Sequence, residues 1–231
     1  MVIHTLERAL AARNVARALV ATDDQRIFDA VVGAGYEATM TRPDHASGSD
    51  RLAEVAAALD DFEIIVNVQG DEPLIAPLTI ERAVDELIRD PEAMIVTTSE
   101  PVESAAEALN PDLVKVVTDA QGRALYFSRS PIPYPRDAVR RHGSLDRALA
   151  AEPQLLKNFR KHTGLYAYRR HVLLQFAVWP QASLERIELL EQLRALERAV
   201  VIKVIEACAP SIGVDTPEDL ERVRKIMEGR C

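Results

Sequence analysis

Glu63-Ile-Ile-Val-Asn-Val-Gln-Gly-Asp-Glu-Pro73 is the most strand-like run of this chain, and it ends in its most chemically suggestive turn. β-Branched side chains at 64–66 and 68 suit a pleated, half-buried surface, whereas Gly-Asp-Glu-Pro cannot continue a ladder. The pattern predicts a strand over 63–69 that stops at two adjacent carboxylates. Outward from it, short β-branched runs alternate with amphipathic stretches. Upstream, helices are expected over 1–14 and through Ile27, Val31 and Val32 up to Gly33-Ala-Gly35. Strands are expected over 18–22 and 37–41, and a helix starting at Ser47 should bury Leu52, Val55, Ala56 and Leu59. Downstream, 78–90 reads as a helix. This β–α rhythm predicts parallel strands joined by right-handed crossovers, with ligands at the carboxyl ends of the strands.

Beyond residue 94 the pattern changes. Met94 to Thr98 reads as a strand, and 114–118 and 123–128 as a hairpin turning at Gly122. Residues 131–160, with Pro131, Pro133, Pro135 and Pro153 and many charges, read as an excursion from the sheet. A strand over 164–168 follows. One amphipathic helix is expected over 183–197, burying Leu184, Ile187, Leu190, Leu193 and either Leu189 or Leu196. A final strand over 200–205 precedes a helix over 217–227. The expectation is a single domain over 1–231, of the α/β class, with an inserted arm at 131–160.

Composition narrows the function classes. The 231 residues carry 36 Asp+Glu against 28 Lys+Arg, a net charge of −8, and 48% are hydrophobic. Such a chain repels a polyphosphate backbone at long range, so a nucleic-acid module is the class least expected. Two cysteines, Cys208 and Cys231, make no disulfide framework, which points to a reducing compartment and hence the cytoplasm. No run is long enough to span a membrane, and Met1-Val-Ile-His-Thr-Leu-Glu-Arg8 lacks the basic-then-apolar form of a signal peptide.

Several segments could carry chemistry, each with a plainer alternative. Asp71 and Glu72 at the end of the best strand suit a hard cation such as Mg²⁺, with Gly70 permitting a tight turn; a polar turn is the alternative. In Gly213-Val-Asp-Thr-Pro-Glu-Asp-Leu220, Thr216, Pro217 and Asp219 form a helix cap, which leaves Asp215 as either a ligand or a solvated loop carboxylate. Glu185, Glu188, Glu191 and Gln192 recur at helical spacing, which as a pattern a solvated face partnered by Arg186 and Arg194 explains better than a site does. The cluster Lys157-Asn-Phe-Arg-Lys-His162, with Tyr166 and Tyr168, could hold an anion or merely offset carboxylates. Arg129 is a strand-end cation of the same kind. Ser47 and Gly48 open a helix whose free N–H groups can bind a phosphate or a base edge, or simply be capped.

In succession, Thr41-Arg-Pro-Asp-His-Ala-Ser-Gly48, Asn67-Val-Gln-Gly-Asp-Glu-Pro73, Leu125-Tyr-Phe-Ser-Arg129, Lys161-His-Thr-Gly-Leu-Tyr-Ala-Tyr-Arg169, Leu190-Glu-Gln-Leu-Arg194 and Gly213-Val-Asp-Thr-Pro-Glu-Asp-Leu220 resemble the 3-deoxy-manno-octulosonate cytidylyltransferases, the CMP-Kdo synthetases. The resemblance runs in order over essentially the whole chain. It implies a Rossmann-like nucleotidyltransferase with a mixed, mostly parallel sheet, joining CTP to the acidic sugar Kdo for lipopolysaccharide synthesis. It further implies that Asp71 and Asp215 hold Mg²⁺ and serve catalysis. By the same resemblance Gln69, Arg129, His162, Tyr166, Glu191 and Gln192 line the Kdo site, with Arg129 able to pair the sugar carboxylate bidentately. Ser47, Gly48 and Arg51 would face the cytidine, and 131–160 would serve a homodimer. Family members begin with a strand and a phosphate-gripping loop, whereas this sequence opens at the helix after them. The resemblance therefore implies a gap near the middle of the sheet, from a start placed too far downstream or from a shortened relative that no longer catalyses. CTP-dependent activation of another acidic sugar, such as a sialic acid, is the remaining alternative.

Overall fold

The structure, a computed structural model, describes residues 1–45, 47–214 and 216–229. Helix α1 (Val2–Leu10) is shorter than the expected 1–14 because α4 claims the groups that would extend it. The Arg13 backbone N–H donates to Glu81 Oε1 (3.0 Å), and Arg13 Nε and Asn14 Nδ2 donate to the Glu81 carboxylate and carbonyl (2.9 Å each). Strand β1 (Val20–Thr22), helix α2 (Gln25–Gly33), strand β2 (Ala38–Met40) and helix α3 (Gly48–Ala57) follow. α2 is capped by Asp24, whose carboxylate accepts from Arg26 N, and the chain leaves it through Gly35 at φ +85°, which glycine adopts without a Cβ clash. The decisive strand is β3 (Ile64–Asn67), followed by α4 (Pro77–Arg89), β4 (Ile95–Pro101) and α5 (Ala105–Leu109). Next come β5 (Lys115–Thr118), β6 (Ala124–Ser128), α6 (Arg136–His142), α7 (Leu145–Ala151) and a 3-10 turn (Pro153–Asn158). The chain closes with β7 (Arg160–Arg169), α8 (Arg170–Val178), α9 (Ser183–Glu188), α10 (Gln192–Leu196), β8 (Ile202–Glu206) and α11 (Pro217–Met227). The α/β class expected from the sequence is the one observed, and both parallel and antiparallel pairings occur.

The chain divides into two compact units. The first comprises Met1–Pro91, Leu165–Val178 and Cys208–Cys231. Within it β1 runs parallel to β2, with Val20 opposite Ala38, as a two-stranded sheet of its own. β3 departs from the parallel expectation, since its neighbour is the antiparallel end of β7, with Ile65 opposite Tyr168 and Asn67 opposite Tyr166. α3 packs on α8, and α1 on α4. Val31, Ala56, Ile80, Leu87, Leu173 and Phe176 are fully buried. Nothing in the sequence pattern singles out α8, although Val172, Leu173 and Phe176 on it are buried.

The second unit comprises Glu92–Gly164 and Trp179–Ala207. Its strands lie in the order β6-β5-β7-β4-β8, with β7 contributing residues 160–164. β4 and β8 are parallel, and β5 and β6 form the expected hairpin. Gly122 takes φ +78° in its turn, where Asp119 Oδ1 accepts from the N–H groups of Gln121 and Arg123 at 2.9 and 2.8 Å. Residues 131–160 do leave the sheet, but as α6, α7 and the 3-10 turn, with Leu149 and Phe159 buried against Val102 and Ala108. The single helix expected over 183–197 is in fact two. Leu189 takes a left-handed conformation (φ 54°, ψ 47°) between α9 and α10. Leu190 and Leu193 are buried as expected, while Ile187 and Leu189 are each 77% exposed. Among the described residues no helix is long and apolar enough to cross a membrane.

Candidate functional site

In the first unit, a cavity of about 960 Å³ lies along β1 and β3 and is lined mainly by apolar side chains of these strands and of α1, α3 and α4, among them Leu6, Val20, Leu52, Val55, Ile65 and Ile80. Thr22, Gly70 and the expected site residues Gly48, Arg51 and Gln69 are also among its lining residues. The third expected nucleotide residue, Ser47, caps α3 by accepting from Asp50 N at 3.2 Å. Arg51 is held in place: Nη2 lies 3.0 Å from Asp23 Oδ2, and Nη1 donates to Thr41 Oγ1. The hydrogen bond to Arg51 holds the Asp23 carboxyl below its ordinary value. One cation thus ties the loops after β1 and β2, the ends at which α/β folds place ligands.

The turn after β3 is built from backbone bonds. Glu72 N donates to Gln69 O (3.1 Å), Thr5 Oγ1 to Gly70 O (3.2 Å) and Val214 N to Asp71 O (3.0 Å). Gly70 is not required for this turn by a left-handed backbone, contrary to the expectation. Among the described residues the positive-φ glycines are elsewhere, and a Cβ at 70 would meet Val2 Cγ2 at an ordinary 3.5 Å. Glu72, the second carboxylate of the pair, accepts from Ser211 Oγ at 2.9 Å. That bond and the one to Val214 bind the segment preceding Asp215 to the Asp71 turn; Asp215 itself lies outside the described residues. Among the described residues no group of three acidic, His or Cys side chains forms a metal nest. Asp71 and Glu72 carry carboxylate oxygens, the donor type that a hard cation such as Mg²⁺ takes. Tyr166 is buried on the strand facing β3 and stacks on Tyr168, with ring centroids 5.6 Å apart.

In the second unit, His162 sits on β7 with Nε2 2.9 Å from Thr97 Oγ1 and its ring edge-on to Phe127 at 5.2 Å. Burial pushes its pKa down to about 4, so it is neutral at physiological pH and serves as a hydrogen-bonding group, not a cation. Its basic neighbours are spent on carboxylates: Arg160 on Glu206 (2.9 Å), Lys161 on Glu107 (3.2 Å) and Glu100 (3.7 Å). Of the two readings of this cluster, neutralisation of nearby acids describes Arg160 and Lys161.

Arg129 follows β6 directly and is tied to the end of α9. Its Nε donates to Glu188 O (2.8 Å), its backbone N–H to Glu188 Oε2 (3.0 Å) and its Nη1 to Pro111 O (3.1 Å). Nε is therefore spent within the protein and Nη1 in part, which leaves the remaining N–H groups of Nη1 and Nη2 to meet a carboxylate. Lys115, fully buried, donates to the carbonyls of Asn110 (2.7 Å) and Leu113 (2.5 Å), so two cations hold the 110–113 loop. The solvated-face reading fails for Glu185, Glu188 and Gln192, although Arg194 is a partner as that reading had it. Glu185 forms a buried pair with Arg194, Glu188 faces β6, and Gln192 is buried. Spacing picked out Glu188 but not what it binds. Its partners lie about sixty residues upstream, and no local pattern encodes them.

Comparisons with known proteins bear on this geometry. Residues 1–204 match the family model described as Cytidylyltransferase. A 3-deoxy-manno-octulosonate cytidylyltransferase from Syntrophotalea carbinolica is 51% identical over 229 residues, covering 99% of this chain and 88% of that protein. One of the same name from Trichlorobacter lovleyi is 48% identical over 228 residues, with the same coverage. Among solved structures, CMP:2-keto-3-deoxy-manno-octonic acid synthetase complexed with CTP superposes with a TM-score of 0.87 at 42% identity, covering 100% of this chain and 88% of that one.

Proposed function

The chain belongs to the cytidylyltransferase family, and we propose that it joins CTP to Kdo, releasing pyrophosphate and forming CMP-Kdo as activated sugar for lipopolysaccharide. The observation that carries this reading is the near-complete match, at about half identity, to relatives named for that reaction, together with a CTP-bound structural neighbour. In the reaction a Kdo hydroxyl oxygen bonds to the α-phosphorus of CTP while the bond to the pyrophosphate oxygen breaks. The hydroxyl proton passes to solvent water, and the electron pair of the broken P–O bond leaves with pyrophosphate. Both reactants are anions, so catalysis is chiefly positioning and charge neutralisation.

Asp71 and Asp215 would hold Mg²⁺, which when bound neutralises triphosphate charge. Gly48, Arg51 and Gln69 would meet the nucleotide, with Ser47 fixing the start of α3. For the sugar, Arg129 supplies a cation to the carboxylate through its remaining N–H groups. Neutral His162, Tyr166, Glu191, Gln192 and Gln69 supply hydrogen bonds to hydroxyls. A homodimer formed through 131–160 and a cytoplasmic location complete the proposal. The test is pyrophosphate release by the purified chain with CTP, Mg²⁺ and Kdo, against the same mixture with a sialic acid in place of Kdo. Turnover with Kdo alone supports the reading; turnover confined to the sialic acid, or none with either sugar, overturns it.

A further inference from the structure

Glu188 makes more contacts to the end of β6 than any role on a solvated helix face requires. Its Oε1 accepts from Ser128 Oγ at 2.6 Å and from Tyr126 Oη at 3.4 Å, and its Oε2 accepts from the Arg129 backbone N–H at 3.0 Å. Its own carbonyl accepts from Arg129 Nε at 2.8 Å. The residue after it, Leu189, is left-handed, which ends α9 and leaves that carbonyl free of the helix to receive the guanidinium. Ser128 Oγ, besides donating to Glu188, accepts from Ser130 N at 3.0 Å, so the hydroxyl is oriented from both sides. One residue thus grips the main chain and the side chain of Arg129 together, and Pro111 O supplies the opposing contact at 3.1 Å.

We infer that Glu188 is a positioning residue for the sugar site: it fixes the direction of the Arg129 guanidinium, so that the remaining N–H groups of Nη1 and Nη2 meet the carboxylate of the acidic sugar. This rests on the assignment of Arg129 to the sugar in the proposed function. A flexible arginine pays side-chain entropy on each binding event, whereas one already held at Nε and Nη1 binds with that freedom removed. The Glu188 carboxylate is spent on Tyr126 Oη, Ser128 Oγ and the Arg129 N–H, contacts that seat the residue's own carbonyl against Arg129 Nε. It acts through Arg129.

The experiment is calorimetric binding of Kdo and, separately, of CTP to the full chain and its Glu188→Ala, Glu188→Gln, Ser128→Ala and Arg129→Ala variants, with melting curves for each. Glu188→Ala is expected to weaken Kdo at least tenfold and leave CTP within twofold. Glu188→Gln, which can still accept from Arg129 N and meet the Ser128 hydroxyl, should stay within threefold of the native chain. Ser128→Ala should weaken Kdo a fewfold and serves as the probe if Glu188→Ala does not fold. In an Arg129→Ala background, Glu188→Ala should weaken Kdo by no more than a further twofold, because the residue has nothing left to orient. Additive losses, equal losses for Kdo and CTP, or Gln as damaging as Ala would overturn the inference while native Kdo binding stands. A native chain that binds CTP and no Kdo would instead overturn the sugar reading, and the inference with it.

Discussion

Glu185 and Arg194 form a bidentate ion pair across nine residues of sequence, with Arg194 Nε donating to Glu185 Oε2 at 2.9 Å and Nη2 donating to Oε1. In one unbroken helix, nine residues would set these side chains about 13.5 Å apart along the axis and on opposite faces. The pair forms only because the chain turns back at Leu189. Both side chains are nearly inaccessible, at 6% and 5% exposure, and Glu185 also accepts from Ala182 N at 3.0 Å. Burial alone would push the Glu185 carboxyl up; Arg194 outweighs it and leaves the carboxyl below its ordinary value.

Removing one member of that pair strands a charge in the interior. Arg194→Leu or Glu185→Leu should each destabilise the chain by roughly 3–5 kcal/mol in urea denaturation, while the double Leu variant should recover most of the loss. Single variants that melt like the native protein would show that the pair is wet and weak.

His162 gives the fold an acid sensitivity of defined sign. Its pKa is about 4 in the folded state against 6.5 unfolded, so the unfolded chain binds the proton first as pH falls. Stability should therefore decline from pH 6.5 down to about 4, by up to ~3 kcal/mol at 1.36 kcal/mol per pKa unit. A His162→Gln variant should show a flatter profile over that window. A parallel decline in both proteins would assign the effect to other groups.

Among the described residues the Asp71 side chain makes no hydrogen bond, and only its backbone carbonyl is engaged. Asp71→Ala should accordingly abolish pyrophosphate release and leave the melting temperature within about 2 °C of native. Full activity in that variant would remove the metal assignment.

Arg129→Ala should raise the KM for Kdo at least tenfold and leave that for CTP nearly unchanged, as measured by initial rates of pyrophosphate release. An effect confined to CTP would move Arg129 to the nucleotide side.

What the sequence determined by itself was everything whose hydrogen bonds close within a few residues. Thr216 and Asp219 form the capping box of α11 as spacing requires, with Asp219 N donating to Thr216 Oγ1 at 3.1 Å and Thr216 N to Asp219 Oδ2 at 3.0 Å. Ser47 caps α3, and Gly122 turns the β5–β6 hairpin. The strand expected over 63–69, observed over 64–67, and the ordered motifs of the family were legible for the same reason, being runs of adjacent residues. Only the tertiary structure decided which strand β3 pairs with, that 183–197 breaks at Leu189, that His162 is neutral, and that Glu188 holds Arg129. Each depends on partners about sixty residues or more away, or on a burial that no local pattern carries. The 183–197 stretch shows why: its periodicity fits one helix, but an unbroken helix would keep Arg194 from the Glu185 carboxylate. Burying either charge alone costs more than ending the helix at Leu189.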